Sequence, residues 1–260
     1  MNRVCGHIHN PDAVRTWQPL AALIGSEKVA AGPAATVVDR SDLVSHIEDQ
    51  GQTGSCVWQA RARAIDLVAR AAVAPIEWRS VQFGYAVTRM LARGSVDVPL
   101  TDEGCSPELA AIVAATWGMP PASALPFNAD HINDEPSVVN LIKAADHTLG
   151  GEYVIDGTDR AQLIAAAIDA GHFPTLAVVV DEGFDRTDGQ MPIGEPFGNV
   201  RGRHDICAIG YLSAGGVVSA IKIVNSWGSA WGQGGFAWLA AERVNHESTV
   251  SVQCFTSKPR

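Results

Sequence analysis

Long apolar runs are missing from this sequence. The first apolar stretch, Leu20 to Ile24, is shorter than the core of roughly 7–15 residues that a secretory signal needs. Nothing approaches the roughly 18 consecutive apolar residues of a spanning helix, so no membrane partner is expected. The reading is a soluble protein, either cytoplasmic or exported by a route without a cleaved signal. Cysteine is also scarce. Five in 260 residues are too few for a disulfide scaffold, and the odd count leaves at least one thiol free or paired with another chain. Basic residues are outnumbered, with 19 Lys and Arg against 28 Asp and Glu, for a net charge of −9. A nucleic-acid partner normally calls for a basic surface, so none is expected. Internal repeats and low-complexity tracts are absent as well. What remains is an ordinary globular share of apolar residues, 47%, which excludes a disordered chain and suits one large domain or two small, intimate ones.

The chain changes texture halfway. Val57, Ala60, Ala64, Leu67 and Val68 recur at helical spacing after Gly54-Ser55, with Arg61 and Arg63 off that face and Pro75 beyond the end. Further helices are predicted over 81–92, after Ser106-Pro107 with Gly118 beyond, over 136–149, and over 160–170 behind Thr158-Asp159. Strands follow over 175–180, 205–212, 217–225, 235–239 and 249–255. Helices first and strands second is an α+β order, not the βαβ alternation of a doubly wound sheet. The organisation expected is an irregular arm over 1–36, a helical lobe over 37–130 and a β-rich lobe over 131–260. Cys5, His7 and His9 are potential metal ligands, but a structural zinc wants four placed ligands, so no metal is assigned.

One cysteine stands apart. Cys56 begins the best helix in the chain, where unpaired backbone N–H groups and the positive end of the helix dipole favour a thiolate. Gly51 and Gly54 before it allow a sharp turn and close approach of a substrate. Gln50 can donate from its amide to a developing oxyanion, and the N–H of Cys56 supplies a second donor. His204 opens an apolar strand, and Asn225 ends another before a Gly- and Trp-rich turn. Each also has a plainer reading: a small buried cysteine, a strand-edge histidine, a turn asparagine.

Taken together these blocks resemble the papain-like (C1) cysteine peptidases. Gln50-Gly51-Gln52-Thr53-Gly54-Ser55-Cys56 is similar to the family's Gln-Gly-x-Cys-Gly-Ser-Cys motif. Asn225-Ser226-Trp227-Gly228 with Trp231-Gly232 and Gly235-Phe236 resembles its Asn-Ser-Trp-Gly-x-x-Trp-Gly-x-x-Gly-Tyr block. His204 with Ile206 and Gly210-Tyr211, and the Gly104-Cys105 step, match more loosely. His204 lies about 150 residues after Cys56, within the papain-type range, and Asn225 about 170 after, beyond it. The resemblance implies a two-lobed α+β fold, helical on the left and β-barrel-like on the right, with the active site in the cleft. It implies Cys56 as nucleophile, His204 as general acid/base, Asn225 as orienter and Gln50 as oxyanion donor. Gly54 and Ser55 would support the site, Trp227 would cover the His–Asn contact, and Glu108 would line the substrate groove. The activity implied is hydrolysis of a protein or peptide substrate through an acyl-thioester, with no cofactor. A ligase or cyclase using the same acyl-enzyme, an idle binding module on the same fold, and a cell-wall amidase or a peptidase of another Cys-His clan are the alternatives.

Departures from the family pattern carry information. Thr53 stands where secreted members place a half-cystine whose partner position is Cys105, so that disulfide cannot form. This suits a prokaryotic- or phage-type member in a reducing compartment, cytoplasmic or virion-associated. Arg203 should lower the His204 pKa and Asp205 raise it, although strand neighbours point to opposite faces. The first 36 residues are too short for the long inhibitory segment of secreted members. They are expected to pack on the domain as an arm, with a short plug near the cleft as the other option.

Overall fold

The computed structural model describes residues 3–8, 17–75 and 77–257. The helices are α1 (Leu20–Ile24), α2 (Ser26–Ala31), α3 (Cys56–Ala71), α4 (Val81–Ala92), α5 (Pro107–Thr116), α6 (Val138–Ala145), α7 (Arg160–Asp169), α8 (Glu182–Asp185) and α9 (Ala241–Asn245). The strands are β1 (Gln18–Pro19), β2 (Val37–Asp39), β3 (Leu149–Val154), β4 (Thr175–Val180), β5 (Gly202–Ala214), β6 (Val217–Val224), β7 (Phe236–Ala240) and β8 (Val250–Ser257). The arm is less irregular than its sequence suggested, since α1 and α2 fall inside it. The helix expected over 136–149 stops at Ala145, and its last residues turn instead into β3. No helix of the described residues is long and apolar enough to cross a membrane.

Local signals place most of the helices. Ser80 Oγ accepts from the Phe83 N–H at 3.1 Å and caps α4. Ser106 caps α5, with Pro107 in the first turn where a missing N–H costs nothing. Ser137 and Asn140 form a reciprocal capping box on α6. Asp159 caps α7. The cap of α3 differs: Ser55 makes no side-chain cap there, which leaves the first N–H groups of that helix for other work.

The strands form one sheet in the order β1-β3-β8-β4-β5-β6-β7, with β2 paired to β5. Every pairing is antiparallel except β1 with β3. The path is open, from β1 to β7, and this almost wholly antiparallel sheet is the β-rich lobe expected. Strand alternation gives β5 two buried faces. Ile206 and Ala208 join Ile164, Leu176, Ile221 and Leu239 in the core under α7, while Cys207 and Ile209 join Trp58, Leu67, Phe83 and Val113 under α3 to α5. The sheet therefore lies between two cores, and β5 runs through both.

Trp58 anchors the helical core. Its ring is fully buried and its Nε1–H donates to Thr88 Oγ1 at 2.9 Å. Gly84, in the middle of α4, provides the seat, because a Cβ there would come within 2.5 Å of the Trp58 ring. Arg61 and Arg63 sit off the apolar stripe, yet both are buried. Arg61 pairs with Glu152 at 2.5 Å, and Arg63 with Glu48 at 2.7 Å and Asp66 at 3.1 Å. Buried charges are tolerated only when paired in this way.

Candidate active site

Three elements deliver the site. The start of α3 presents Cys56, the start of β5 presents His204, and the turn after β6 presents Asn225. All three residues are buried. The β5–β6 register pairs Cys207 with Val224, which brings His204 and Asn225 to the same end of the hairpin. His204 Nε2 lies 2.7 Å from Asn225 Oδ1. That oxygen also accepts the Ser226 N–H at 2.7 Å, so the atom facing Nε2 is an acceptor and Nε2 carries the proton. Nδ1 is then the basic nitrogen, and it has no hydrogen-bond partner. The Trp227 ring lies over the imidazole at 4.6 Å between centroids, tilted by 34°. Phe184 closes the same side at 6.1 Å. Together the two rings keep water from the His204–Asn225 bond.

The glycine-rich loop before α3 is tightly held. The Gly54 N–H donates to Asp102 Oδ1 at 2.8 Å, and Asp102 also accepts from the Tyr85 hydroxyl at 2.6 Å. Ser55 is buried, its Oγ 2.8 Å from Thr53 Oγ1. Gln50 is buried too: Oε1 accepts from Ser226 Oγ at 2.7 Å, and one Nε2–H donates to the Thr53 carbonyl at 2.7 Å. Ser226 thus ties the Gln50 amide to the turn that carries Asn225. Thr53, in the expected half-cystine position, donates to the Gln50 carbonyl at 2.8 Å. All five cysteines are free.

Glu108 is elsewhere. It sits in the first turn of α5, buried, and accepts from Ser251 Oγ of β8 at 3.3 Å. The groove-lining role expected for it is corrected on that ground: the helix turns this carboxylate inward, toward β8. Of the neighbours of His204, Asp205 raises its pKa as expected, while Arg203 needs correcting. Arg203 points away and donates to the Ser248 carbonyl at 3.4 Å. The guanidinium that disfavours His204 protonation is that of Arg201.

Of the arm, residues 3–8 lie between the lobes, as the plug option had it, while Leu20 and Ile24 pack into the core, as the favoured packed arm had it. The Cys105 N–H donates to the Gly6 carbonyl at 2.9 Å, and the Ile8 N–H to the Cys105 carbonyl at 3.0 Å. On the other wall, the His7 N–H reaches the Arg203 carbonyl at 3.4 Å, and His7 Nδ1 lies 2.6 Å from Asp205 Oδ2. Arg3 pairs with Asp49 at 2.8 Å, and Arg201 donates to the Arg3 carbonyl at 2.7 Å. Residues 3–8 therefore bridge both lobes. Three glycines allow it. A Cβ on Gly6 would come within 2.5 Å of Gly54 Cα and closer still to its carbonyl, and one on Gly104 would overlap the Gly6 carbonyl. His9 lies outside the described residues. Among the described residues no three His, Cys, Asp or Glu could hold a metal, and Cys5 and His7 serve instead as cleft contacts.

Burial dominates the electrostatics. Burial is the largest influence on Cys56 and pushes its thiol well above the ordinary value. The Asp205 carboxylate adds to this, against backbone hydrogen bonds from Asp205 and Gly6. Burial likewise lowers His204 to about 4, against the raising effect of Asn225. Burial thus disfavours the charged form of both groups here, against the thiolate that the helix start favours.

Comparison with known proteins follows the same lines. Residues 151–256, with His204 and Asn225 among them, match the model of the papain family cysteine proteases. No curated protein matches the chain. Among solved structures, xylellain, a cysteine protease from Xylella fastidiosa, superposes with a TM-score of 0.80 at 19% identity, covering 98% of this chain and 96% of the other. Procathepsin B S9 from Trypanosoma congolense gives 0.71 at 13%, covering 99% and 87%. Procathepsin L2 from the midgut of Tenebrio molitor larvae gives 0.71 at 19%, covering 98% and 78%. The β-rich half thus matches the papain family cysteine proteases, and the chain as a whole has the fold of these cysteine proteases.

Proposed function

We propose that Cys56, His204, Asn225 and Gln50 cleave peptide bonds in protein or peptide substrates, and that residues 3–8 hold this enzyme in a resting form. The observation that carries the first part is the His204–Asn225 bond. It fixes the proton on Nε2 and leaves Nδ1 as a base under the Trp227 ring. In the reaction Nδ1 takes the Cys56 proton and the sulfur attacks the substrate carbonyl. The oxyanion meets the Cys56 N–H and the remaining Nε2–H of Gln50. The imidazolium then protonates the leaving amine, and the thioester is hydrolysed by a water that Nδ1 deprotonates. With Gly6 against the sulfur, a substrate carbonyl has no place to sit. Departure of the arm admits water, which relieves the burial that holds both groups neutral. Five free thiols fit work in a reducing compartment.

The test is covalent labelling. An epoxide-type thiol reagent should modify Cys56 and none of the other four cysteines, and Cys56→Ala should abolish peptide hydrolysis with little change in melting temperature. Hydrolysis retained by Cys56→Ala would mean that the nucleophile is misassigned.

A further inference from the structure

The arm sends one side chain into the cleft, and an acid receives it. The His7 side chain is wholly buried, with Nδ1 at 2.6 Å from Asp205 Oδ2. Among the described residues no other side chain bonds that carboxylate. Asp205 shares a face of β5 with Cys207, which lies in the apolar core under α3. A carboxylate in such surroundings is costly without a partner, and the partner here comes from the arm. The slot is also beside the reacting atom. The Cys56 sulfur takes backbone hydrogen bonds from Gly6 and Asp205, so His7 stands one residue along from the residue on the sulfur. Cys105 holds the peptide groups on both sides of His7. Its N–H donates to the Gly6 carbonyl at 2.9 Å, and its carbonyl accepts from the Ile8 N–H at 3.0 Å. A peptide residue held between these two bonds, as His7 is, aims its side chain at Asp205.

We infer that Asp205 is a specificity-determining residue, which selects histidine in the substrate at the position before the residue whose carbonyl Cys56 attacks. This rests on Cys56 as the nucleophile and on a substrate taking the place of residues 3–8. The side of the scissile bond follows from the other end of the segment. Arg3 donates to the Trp227 carbonyl at 3.3 Å, and the Trp227 ring lies over His204. His204 protonates the leaving amine, so the leaving half of a substrate lies on the Arg3 side and the acyl half on the His7 side. Reach and donor chemistry single out histidine. An ionised carboxylate only accepts, so the slot calls for an N–H. The imidazole carries one on the atom next to Cγ. Asparagine offers an N–H at the same reach without a charge, and leucine offers none. The lysine ammonium and the arginine guanidinium stand further out, past the depth that His7 fills.

The test uses the full chain and acetyl-Ala-Xaa-Ala-coumarylamides in which Xaa is histidine, asparagine, leucine or lysine. Values of kcat/KM are compared as ratios between peptides, because the open fraction of the enzyme and the state of its nucleophile are common to all and cancel. At pH 7 histidine should exceed leucine by about 10- to 100-fold, the range of a hydrogen bond to a charged group. Asparagine should fall between them, and lysine should do no better than leucine. Peptidyl epoxides with the same residues should give the same order as rates of Cys56 labelling, with no turnover needed. Asp205→Ala should abolish the preference for histidine. Asp205→Asn keeps an uncharged acceptor, should lower the preference partway, and serves if Asp205→Ala does not fold. A parent that handles leucine as well as histidine overturns the inference, and so does a preference unchanged in either folded variant. Neither hydrolysis nor Cys56 labelling by any of the peptides overturns the peptidase reading and this inference with it, whereas cleavage without preference overturns this inference alone.

Discussion

Replacing Gly6 by alanine should turn the resting form into a reactive one. The added Cβ would fall within 2.5 Å of Gly54 Cα and closer still to the Gly54 carbonyl. Those atoms are backbone, pinned by the bond from the Gly54 N–H to Asp102, so they cannot swing aside as a long side chain would. The arm has to shift. Its seat consists of two main-chain bonds to Cys105 at 2.9 and 3.0 Å, a long one to Arg203, and the His7–Asp205 contact. The Arg3–Asp49 pair adds little, since Asp49 is half exposed. Overpacking of this kind costs about 1–3 kcal/mol. Spread over the open and closed arrangements, that raises the open population roughly 5- to 150-fold. The assay is the second-order rate of Cys56 alkylation at pH 7, followed by mass spectrometry, beside the peptide hydrolysis rate. Both should rise together, with the melting temperature of the lobes nearly unchanged, because Gly6 belongs to neither core. Equal labelling rates in parent and variant would refute the reasoning, since an arm able to tolerate the overlap cannot be seated as described.

Other outcomes can be stated with their measurements. Gly84→Ala should lower stability by about 2–3 kcal/mol in denaturant unfolding, although alanine favours helix by about 1 kcal/mol, because its Cβ strikes the Trp58 ring; a neutral or stabilising result would mean that the α3–α4 contact yields. Stability should also fall as pH drops from about 6.5 to about 4. Over that range the unfolded chain protonates at His204 while the folded chain, held at about 4, does not, so the unfolded state binds more protons. The effect is at most about 3 kcal/mol. The melting temperature of His204→Gln should depend less on pH across that window, and equal slopes would count against a buried neutral His204.

The lobes were legible because their signals are local. Apolar spacing, serine and aspartate caps and β-branched runs placed α3, α4, α5, α7 and the strands β4 to β8 within a few residues. The residues Cys56, His204 and Asn225 stood out by motif. What escaped depended on distant partners. Glu108 was expected in a groove because of its place in the family pattern, but its hydrogen-bond partner Ser251 is far along the chain. Arg61 and Arg63 read only as lying off the apolar face, since nothing nearby announces Glu152 and Glu48 as buried counter-ions. The arm was the hardest case. Its grip is main-chain bonding and the absence of side chains at Gly6, Gly54 and Gly104, and a lone glycine in an irregular stretch carries no mark of what it approaches. The one available hint was Cys5-Gly6-His7 itself, chemically rich residues gathered in a segment with no periodicity of its own.

The expectation of a thiolate at the start of α3 was sound for an exposed cysteine, and its failure here shows which influence dominates. A helix terminus offers about 0.3–1 kcal/mol, or up to about 2 kcal/mol where partly buried. Full burial can move an ionisable group by up to roughly 3–5 pK units, which corresponds to about 4–7 kcal/mol. The dipole cannot overcome that while Gly6 covers the sulfur. Neither can the imidazole, because the same burial opposes its charged form and the two groups must ionise together. On the proposed reading, a thiolate–imidazolium pair would belong to an open cleft, with its residues carried by α3, β5 and the turn after β6. On the same reading a seated arm would both obstruct the substrate and keep Cys56 buried, so loss of the arm should raise reactivity even toward a thiol reagent small enough to slip past it.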